Sequence, residues 1–164
     1  MSAERPGSLS AVERGLARSV AAGREAAVAF LERVVNVNSG TMNFAGVRAV
    51  GEAFGAELEA LGFRTRWADG APFQRAGHLL AERPASRSGV RVLLIGHLDT
   101  VFESDSPFQH FVRLDDGRAR GPGAADMKGG DVVMLLALRA LREAGVLDRI
   151  DARVYLGGDE EDSG

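Results

Sequence analysis

Three separated segments of this sequence combine glycines with side chains that bind metal ions. The first carries His97 with Asp99 two residues later, the second carries Asp126, and the third carries Glu160 and Glu161. Because the sequence contains no cysteine, a metal would be held by imidazole nitrogen and carboxylate oxygen. This ligand chemistry favours zinc, manganese or cobalt. We therefore predict a metal site built from these segments.

The spacing of His97 and Asp99 suits a metal-bound histidine. Both follow an apolar run at residues 91–95, and side chains two residues apart in extended backbone project to the same side. The carboxylate can then accept the second ring N–H and fix the tautomer of the imidazole. Taken alone, the triplet more often marks a histidine at a strand end and an aspartate that caps the next turn.

The glycine-rich segment at residues 121–130 has two interpretations. Its glycines either serve only tight turns and close helix packing, or the loop presents Asp126 to a ligand. The phosphate-loop pattern fails, because no glycine directly precedes Lys128 and Gly129 follows it, so a nucleotide-binding α/β domain is the weakest candidate. Lys128 is the only lysine among the 20 basic residues, which reflects either a specific requirement for lysine here or chance.

Four consecutive acids occupy residues 159–162, directly after an apolar strand pattern. Their mutual repulsion is costly unless water solvates them fully or a cation compensates their charge. A run of charge is usually a solvated turn. Here the two preceding glycines, Gly157 and Gly158, and the strand end favour a binding or catalytic site.

Hydrophobic periodicity predicts the elements that must position these groups. Helical spacing occurs at residues 9–36, 44–61 and 129–144, with Gly62 where a left-handed C-cap would lie and the last helix largely buried against a sheet. Extended runs occur at residues 63–67, 77–81, 90–95 and 151–156, and an Asp-Gly hairpin turn joins residues 111–114 to 118–120. This order predicts an α/β fold with at least part of the sheet parallel. Ligands bind beyond the carboxyl ends of such strands, where His97 and Glu160 fall.

Composition limits the classes of function. A length of 164 residues with 45% hydrophobic side chains suits one domain with its own core. The 20 basic and 23 acidic residues give a formal charge of -3 without a basic stripe, which argues against nucleic acid as a partner. No segment approaches the roughly 18 apolar residues of a membrane span, so we expect no membrane partner and a cytoplasmic location.

Taken together, the motifs resemble one enzyme family. Residues 96–101, 121–130 and 159–161, in this order and at these separations, closely resemble the dinuclear zinc peptidases and deacylases. That family includes aminoacylase, acetylornithine deacetylase, succinyl-diaminopimelate desuccinylase and carboxypeptidase G. Residues 37–41, 61–63 and 107–108 are most similar to its glutamate carboxypeptidase branch. The resemblance covers residues 25–164 and implies part of a zinc-exopeptidase catalytic domain, with a mixed sheet flanked by helices.

The resemblance also implies a role for each candidate residue in amide hydrolysis. His97 would be a terminal ligand of one zinc ion, Asp126 the carboxylate that bridges two ions, and Glu161 a terminal ligand of the other. Asp99 would orient His97. Glu160 would be the general base that takes a proton from the metal-bridging water and delivers it to the leaving amine. A cis peptide bond between Asp126 and Met127 is implied as well.

Family members continue well beyond the last of these motifs, with another carboxylate ligand, a lid or dimerisation domain and a distant histidine ligand. The resemblance therefore implies that residues 1–164 are the N-terminal part of a catalytic domain, inactive alone, from a protein that forms a homodimer. The substrate would be a small peptide, cleaved by a carboxypeptidase, or an N-acyl amino acid, cleaved by a deacylase. A non-catalytic metal-binding module is the alternative of another class. We expect structural roles for His78 and His110.

Overall fold

In a computed structural model of the protein, residues 9–86, 89–115 and 117–162 are described. Three long helices are present, at Ala11–Val35 (α1), Phe44–Ala60 (α2) and Lys128–Glu143 (α3). The strands are Arg64–Asp69 (β1), Gly77–Arg83 (β2), Val90–His97 (β3), Val112–Arg113 (β4), Ala119–Arg120 (β5) and Ile150–Gly157 (β6). Short 3-10 turns lie at Ala71–Phe73 and Leu147–Arg149. Each helix and strand predicted from the periodicity is found within a few residues of its expected place.

The main sheet is mixed, with the strand order β1-β2-β6-β3. Strand β2 pairs antiparallel with β1 and with β6, whereas β3 pairs parallel with β6 from Val90 opposite Ile150 to His97 opposite Gly157. The predicted α/β class, with a partly parallel sheet, is confirmed. Because β3 and β6 run in the same direction and end together, the residues that follow both strands meet at one edge of the sheet.

Local sequence signals define the helix ends. Ser10 and Glu13 form a capping box at the start of α1, with each side chain accepting a backbone N–H from the other residue. Asn43 caps α2 by accepting the N–H of Gly46. Gly62 follows α2 with a φ of +87°, the left-handed conformation predicted at this C-cap.

One hydrophobic core joins the three helices to one face of the sheet. It contains Phe30 of α1 against Phe54 of α2, with their ring centroids 5.1 Å apart at 88°. Apolar residues of α3, β2 and β6 complete it, among them Leu135, Leu79 and Val154. The opposite face of the sheet is open, and Leu93 and Ile95 there are 61% and 65% exposed.

The prediction that α3 is largely buried against the sheet is only partly correct. The helix buries Val132, Leu135 and Leu138 but leaves Val133 66% exposed, and it packs more extensively against α1 than against β3. Successive residues of a helix lie about 100° apart, so even a continuous apolar run leaves one side outside the core. Among the described helices, none is long and apolar enough to cross a bilayer.

Candidate active site

Three predicted ligands converge at the edge of the sheet where β3 and β6 end. His97 is the last residue of β3, Asp126 lies in the loop before α3, and Glu161 follows β6. One ligand atom from each residue lies within 4.8 Å of the others. The closest pair is His97 Nε2 and Asp126 Oδ1, at 3.1 Å. The Asp126–Met127 peptide bond is cis, as the family resemblance implied.

The imidazole of His97 is buried and has a different environment on each nitrogen. Nδ1 lies 3.1 Å from the carbonyl oxygen of Asp99 and 3.4 Å from its Oδ1. Nε2 faces Asp126 and lies 3.9 Å from Oε2 of Glu160. Burial disfavours the charged ring, but hydrogen bonds with Asp99 and Asp126 outweigh it and raise the pKa of His97 to about 9. The surrounding carboxylates therefore favour positive charge at this point.

Asp99 is fully buried and accepts hydrogen bonds from several directions. Its Oδ2 accepts the hydroxyl of Thr41 at 2.7 Å and the backbone N–H of Glu161 at 3.1 Å. Its Oδ1 accepts the backbone N–H of Glu160 at 3.1 Å. Burial alone would raise the pKa of Asp99, but hydrogen bonds from His97, Thr41 and the two backbone N–H groups lower it. This carboxylate thus contacts both His97 and the acidic turn, a connection that the sequence analysis did not anticipate.

The acidic turn gathers negative charge opposite His97. The side chain of Glu160 is 63% exposed, whereas that of Glu161 is partly buried. Burial raises the pKa of Glu161, and the charge of Asp126 raises it further. Carboxylates held this close repel one another, and a cation between them would remove that repulsion.

The donor set fits a divalent metal ion. Ligand atoms lie about 2.0 to 2.2 Å from zinc, which places two of them roughly 3.3 Å apart at tetrahedral angles. The 3.1 Å between His97 Nε2 and Asp126 Oδ1 agrees with this spacing. One imidazole nitrogen with two carboxylates also suits manganese and cobalt, the other metals favoured by the sequence.

Sequence comparison connects this geometry with known proteins. The profile of peptidase family M20/M25/M40 matches residues 93–164, the part that contains all the candidate residues. Carboxypeptidase G2 from Pseudomonas sp. (strain RS-16) is 35% identical over 136 residues, which are 83% of this chain and 32% of that protein. Residues 93–164 of the chain therefore match this peptidase family, and most of the chain is similar to a carboxypeptidase. The predicted resemblance to the metallopeptidases is confirmed.

Solved structures show the same fold. Di-peptidase Dug1p from Saccharomyces cerevisiae matches with a TM-score of 0.79 at 15% identity, over 93% of this chain and 35% of that chain. The M20 family metallo-carboxypeptidase Sso-CP2 from Sulfolobus solfataricus matches with a TM-score of 0.67 at 18% identity, over 82% of this chain and 31% of that chain. The chain therefore spans about a third of the length of these similar proteins.

The glycine-rich segment at residues 121–130 also contains the only lysine of the chain. Lys128 is fully buried, and its Nζ donates to the carbonyl oxygens of Val34 at 3.0 Å and Val37 at 3.1 Å. Burial lowers the pKa of Lys128 to about 8. The ammonium thus binds backbone carbonyls at the end of α1, and this contact favours a specific requirement for lysine over chance.

Two further residues contact the acidic turn, and the sequence analysis considered only one of them, His78. Arg75 lies in the β1–β2 connection and donates to the carbonyl oxygen of Asp162. His78, for which a structural role was expected, lies at the start of β2 and accepts the backbone N–H of Gly158 at 3.3 Å. The only signal that could have located them is the antiparallel pairing of β2 with β6, which sequence periodicity does not reveal.

Proposed function

We propose that this chain is the N-terminal part of the catalytic domain of a metal-dependent carboxypeptidase that hydrolyses an amide bond in a small peptide. The observation that carries the proposal is the convergence of His97, Asp126 and Glu161, whose ligand atoms lie within 4.8 Å of one another. Glu160 lies beside them, with Oε2 3.9 Å from Nε2 of His97. This arrangement supplies metal ligands and an acid–base group on one surface.

In this proposal His97 would be a terminal ligand of one metal ion, Asp126 the carboxylate shared by two ions, and Glu161 a terminal ligand of the second. Zinc is the preferred ion, with cobalt and manganese as alternatives. Such ions, when bound, polarise the scissile carbonyl and lower the pKa of water to near neutrality. The remaining ligands would come from the part of the protein beyond residue 164.

Glu160 is the proposed general base. Its backbone N–H is held by Asp99, while its carboxylate is exposed towards the ligand cluster. A glutamate whose backbone is fixed and whose side chain is free to move can take a proton from the attacking water. It can then return that proton to the leaving nitrogen. Asp99 binds the Nδ1 side of His97, which leaves Nε2 directed at the cluster.

The substrate is proposed from the relatives. The similarity to carboxypeptidase G2, at 35% identity, favours a carboxypeptidase substrate for this protein. The resemblance of its motifs to the glutamate carboxypeptidase branch favours a peptide or acyl amino acid with a free carboxylate, such as a C-terminal glutamate. A homodimer is proposed for the complete protein. The groups that recognise the substrate are expected outside this chain, because the chain spans only 32% of that relative.

Metal content and hydrolysis of N-acyl-glutamate substrates test the proposal. We would compare this chain with the protein expressed to its natural stop codon, after dialysis against metal-free buffer. The longer protein should retain about two zinc ions and turn over substrate, and its Glu160→Gln variant should retain the metal but lose turnover. Release of acetate from N-acetyl amino acids in place of peptide cleavage would indicate a deacylase. A folded longer protein without metal or turnover would overturn the proposal.

A further inference from the structure

The acidic turn at residues 158–162 is held from two sides. On one side, Asp99 accepts the backbone N–H groups of Glu160 and Glu161. On the other side, Arg75 and His78 bind the two ends of the turn. Neither of these two side chains has a part in the proposed chemistry, although both lie next to the residues that do.

His78 binds the first residue of the turn. Its Nδ1 accepts the N–H of Gly158 at 3.3 Å and lies 3.7 Å from Oδ1 of Asp159. Its ring centroid is 5.3 Å from that of Tyr155. The turn and the start of β2 are in close backbone contact as well, because a Cβ at position 158 would lie 2.2 Å from the carbonyl oxygen of Gly77. Nδ1 of His78 therefore accepts a hydrogen bond from a turn that also packs against the start of β2, the strand that carries His78.

Arg75 binds the last described residue of the turn. Its Nε and Nη2 both donate to the carbonyl oxygen of Asp162, at 3.0 and 2.8 Å, and Nη2 lies 3.5 Å from the carboxylate of that residue. The side chain is only 13% exposed, and the N–H of Arg75 is bound by the carbonyl of Gly70. Nη1 of the guanidinium also donates to the carbonyl oxygen of Gln74 at 2.9 Å, so both the backbone and the side chain of Arg75 are bound within their own loop.

We propose that Arg75 and His78 are positioning residues that hold the acidic turn against Asp99, so that Glu160 and Glu161 face His97. The inference rests on the proposed function for its consequence in catalysis. Consecutive carboxylates repel one another, and a turn that carries them would otherwise spread. Hydrogen bonds at both of its ends, with the positive charge of Arg75 at one end, oppose that spreading. Groups that orient metal ligands typically change metal affinity by about 10- to 100-fold when they are removed.

Separate substitutions distinguish the hydrogen bond that His78 accepts from the contact that its ring makes with Tyr155. His78→Asn keeps an acceptor for the N–H of Gly158 without the ring, and His78→Phe keeps the ring beside Tyr155 without the acceptor. Arg75→Met keeps the length of the side chain without its donors. The matched controls are His110→Phe, at an exposed histidine, and Arg64→Met, at an exposed arginine of β1.

Amide hydrogen exchange at Glu160 and Glu161, followed by NMR without metal, is the first measurement. It uses the protein expressed to its natural stop codon. We expect exchange roughly fivefold faster in His78→Phe and Arg75→Met, because each change removes hydrogen bonds to the turn. The Asn variant and both controls should match the wild type. Unchanged exchange in His78→Phe and Arg75→Met would overturn the inference, whatever the metal content.

Zinc affinity and kinetics of the same proteins supply the second measurement. Zinc binding should weaken by about tenfold or more in His78→Phe and Arg75→Met and recover in His78→Asn. In turnover, kcat should fall more than KM rises, because the turn carries the proposed base. A wild type that binds no zinc would overturn the proposed function but leave the exchange result as the test of the turn. Normal zinc affinity in His78→Phe and Arg75→Met would overturn the inference about the turn but leave the proposed function standing.

Discussion

The backbone N–H of Glu161 donates to Oδ2 of Asp99 at 3.1 Å, so the turn after β6 is bound directly to the residue that contacts His97. The N–H of Glu160 reaches the other oxygen of the same carboxylate at 3.1 Å. A single buried side chain therefore relates the histidine at the end of β3 to the acids after β6. Asp99 therefore contacts both His97 and the acidic turn, and not His97 alone.

Replacing Asp99 with asparagine should destabilise the fold. The amide supplies one acceptor oxygen and one donor nitrogen, so a donor would face the Thr41 hydroxyl or a backbone N–H that now has an acceptor. We expect a loss of about 1 to 3 kcal/mol in the free energy of unfolding, measured by urea denaturation without metal. Asp105→Asn, at an exposed loop position, is the control. Equal midpoints for the two variants would show that the carboxylate is not needed as a multiple acceptor.

Lys128→Met should also destabilise the protein. The apolar side chain fills a similar volume but leaves the carbonyl oxygens of Val34 and Val37 without the hydrogen bonds that the ammonium supplies. Each lost partner of a buried carbonyl costs about 1 to 3 kcal/mol, partly offset because the charged ammonium is no longer buried. Thermal unfolding followed by circular dichroism measures the change, with Arg18→Met on the surface of α1 as the control. A melting temperature unchanged from that of the control would contradict the structural role of Lys128.

Much of this site was predictable from sequence because its chemistry is local to strand ends. His97, Asp126 and Glu161 each lie within three residues of a glycine, at the end of an apolar run or before a helix. Such positions face the ligand crevice of an α/β sheet. The parallel pairing that brings Gly157 opposite His97 then follows from the order of the elements.

The remaining features depend on contacts between distant parts of the chain. The exposure of Val133 follows from how α3 lies on α1, and a uniformly apolar helix does not reveal which side faces the core. His78 lies beside the acidic turn only because β2 pairs antiparallel with β6. Lys128 was singled out by composition, but its acceptors belong to a helix end 91 to 94 residues earlier.

The stability of the apo protein should depend on the protonation of Asp131. Both carboxylate oxygens of Asp131 are buried without a hydrogen-bond partner among the described residues, and Oδ1 fills the space beside Gly96. Burial raises its pKa from 3.8 to about 7, although the charge of His97 opposes the shift. The folded state therefore binds a proton more tightly than the unfolded chain. The contribution of Asp131 to stability is complete below pH 3.8 and is lost as the pH rises through about 7.

Asp131→Asn tests this dependence because the amide is neutral at every pH. Urea denaturation at several pH values from about 5 to about 8 should show the wild type losing roughly 1 kcal/mol per pH unit more than the variant, up to the folded pKa. In the exposed control, Asp105→Asn, the free energy of unfolding should depend on pH as it does in the wild type. Parallel curves for the wild type and Asp131→Asn would show that this carboxyl does not titrate in the range given.

Metal binding should stabilise the complete protein through the proposed ligands. A ligand that binds only the folded state raises the free energy of unfolding by about 2.7 kcal/mol at 100 times its dissociation constant. Zinc should therefore raise the melting temperature of the protein expressed to its natural stop codon, and a chelator should reverse the change. Asp126→Asn should lose more of this shift than Glu161→Gln, because Asp126 is the proposed bridge between two ions. Glu52→Gln, on the exposed side of α2, is the control and should keep the full shift. Equal shifts in all three variants would place the bound zinc elsewhere, since neither carboxylate could then be a ligand.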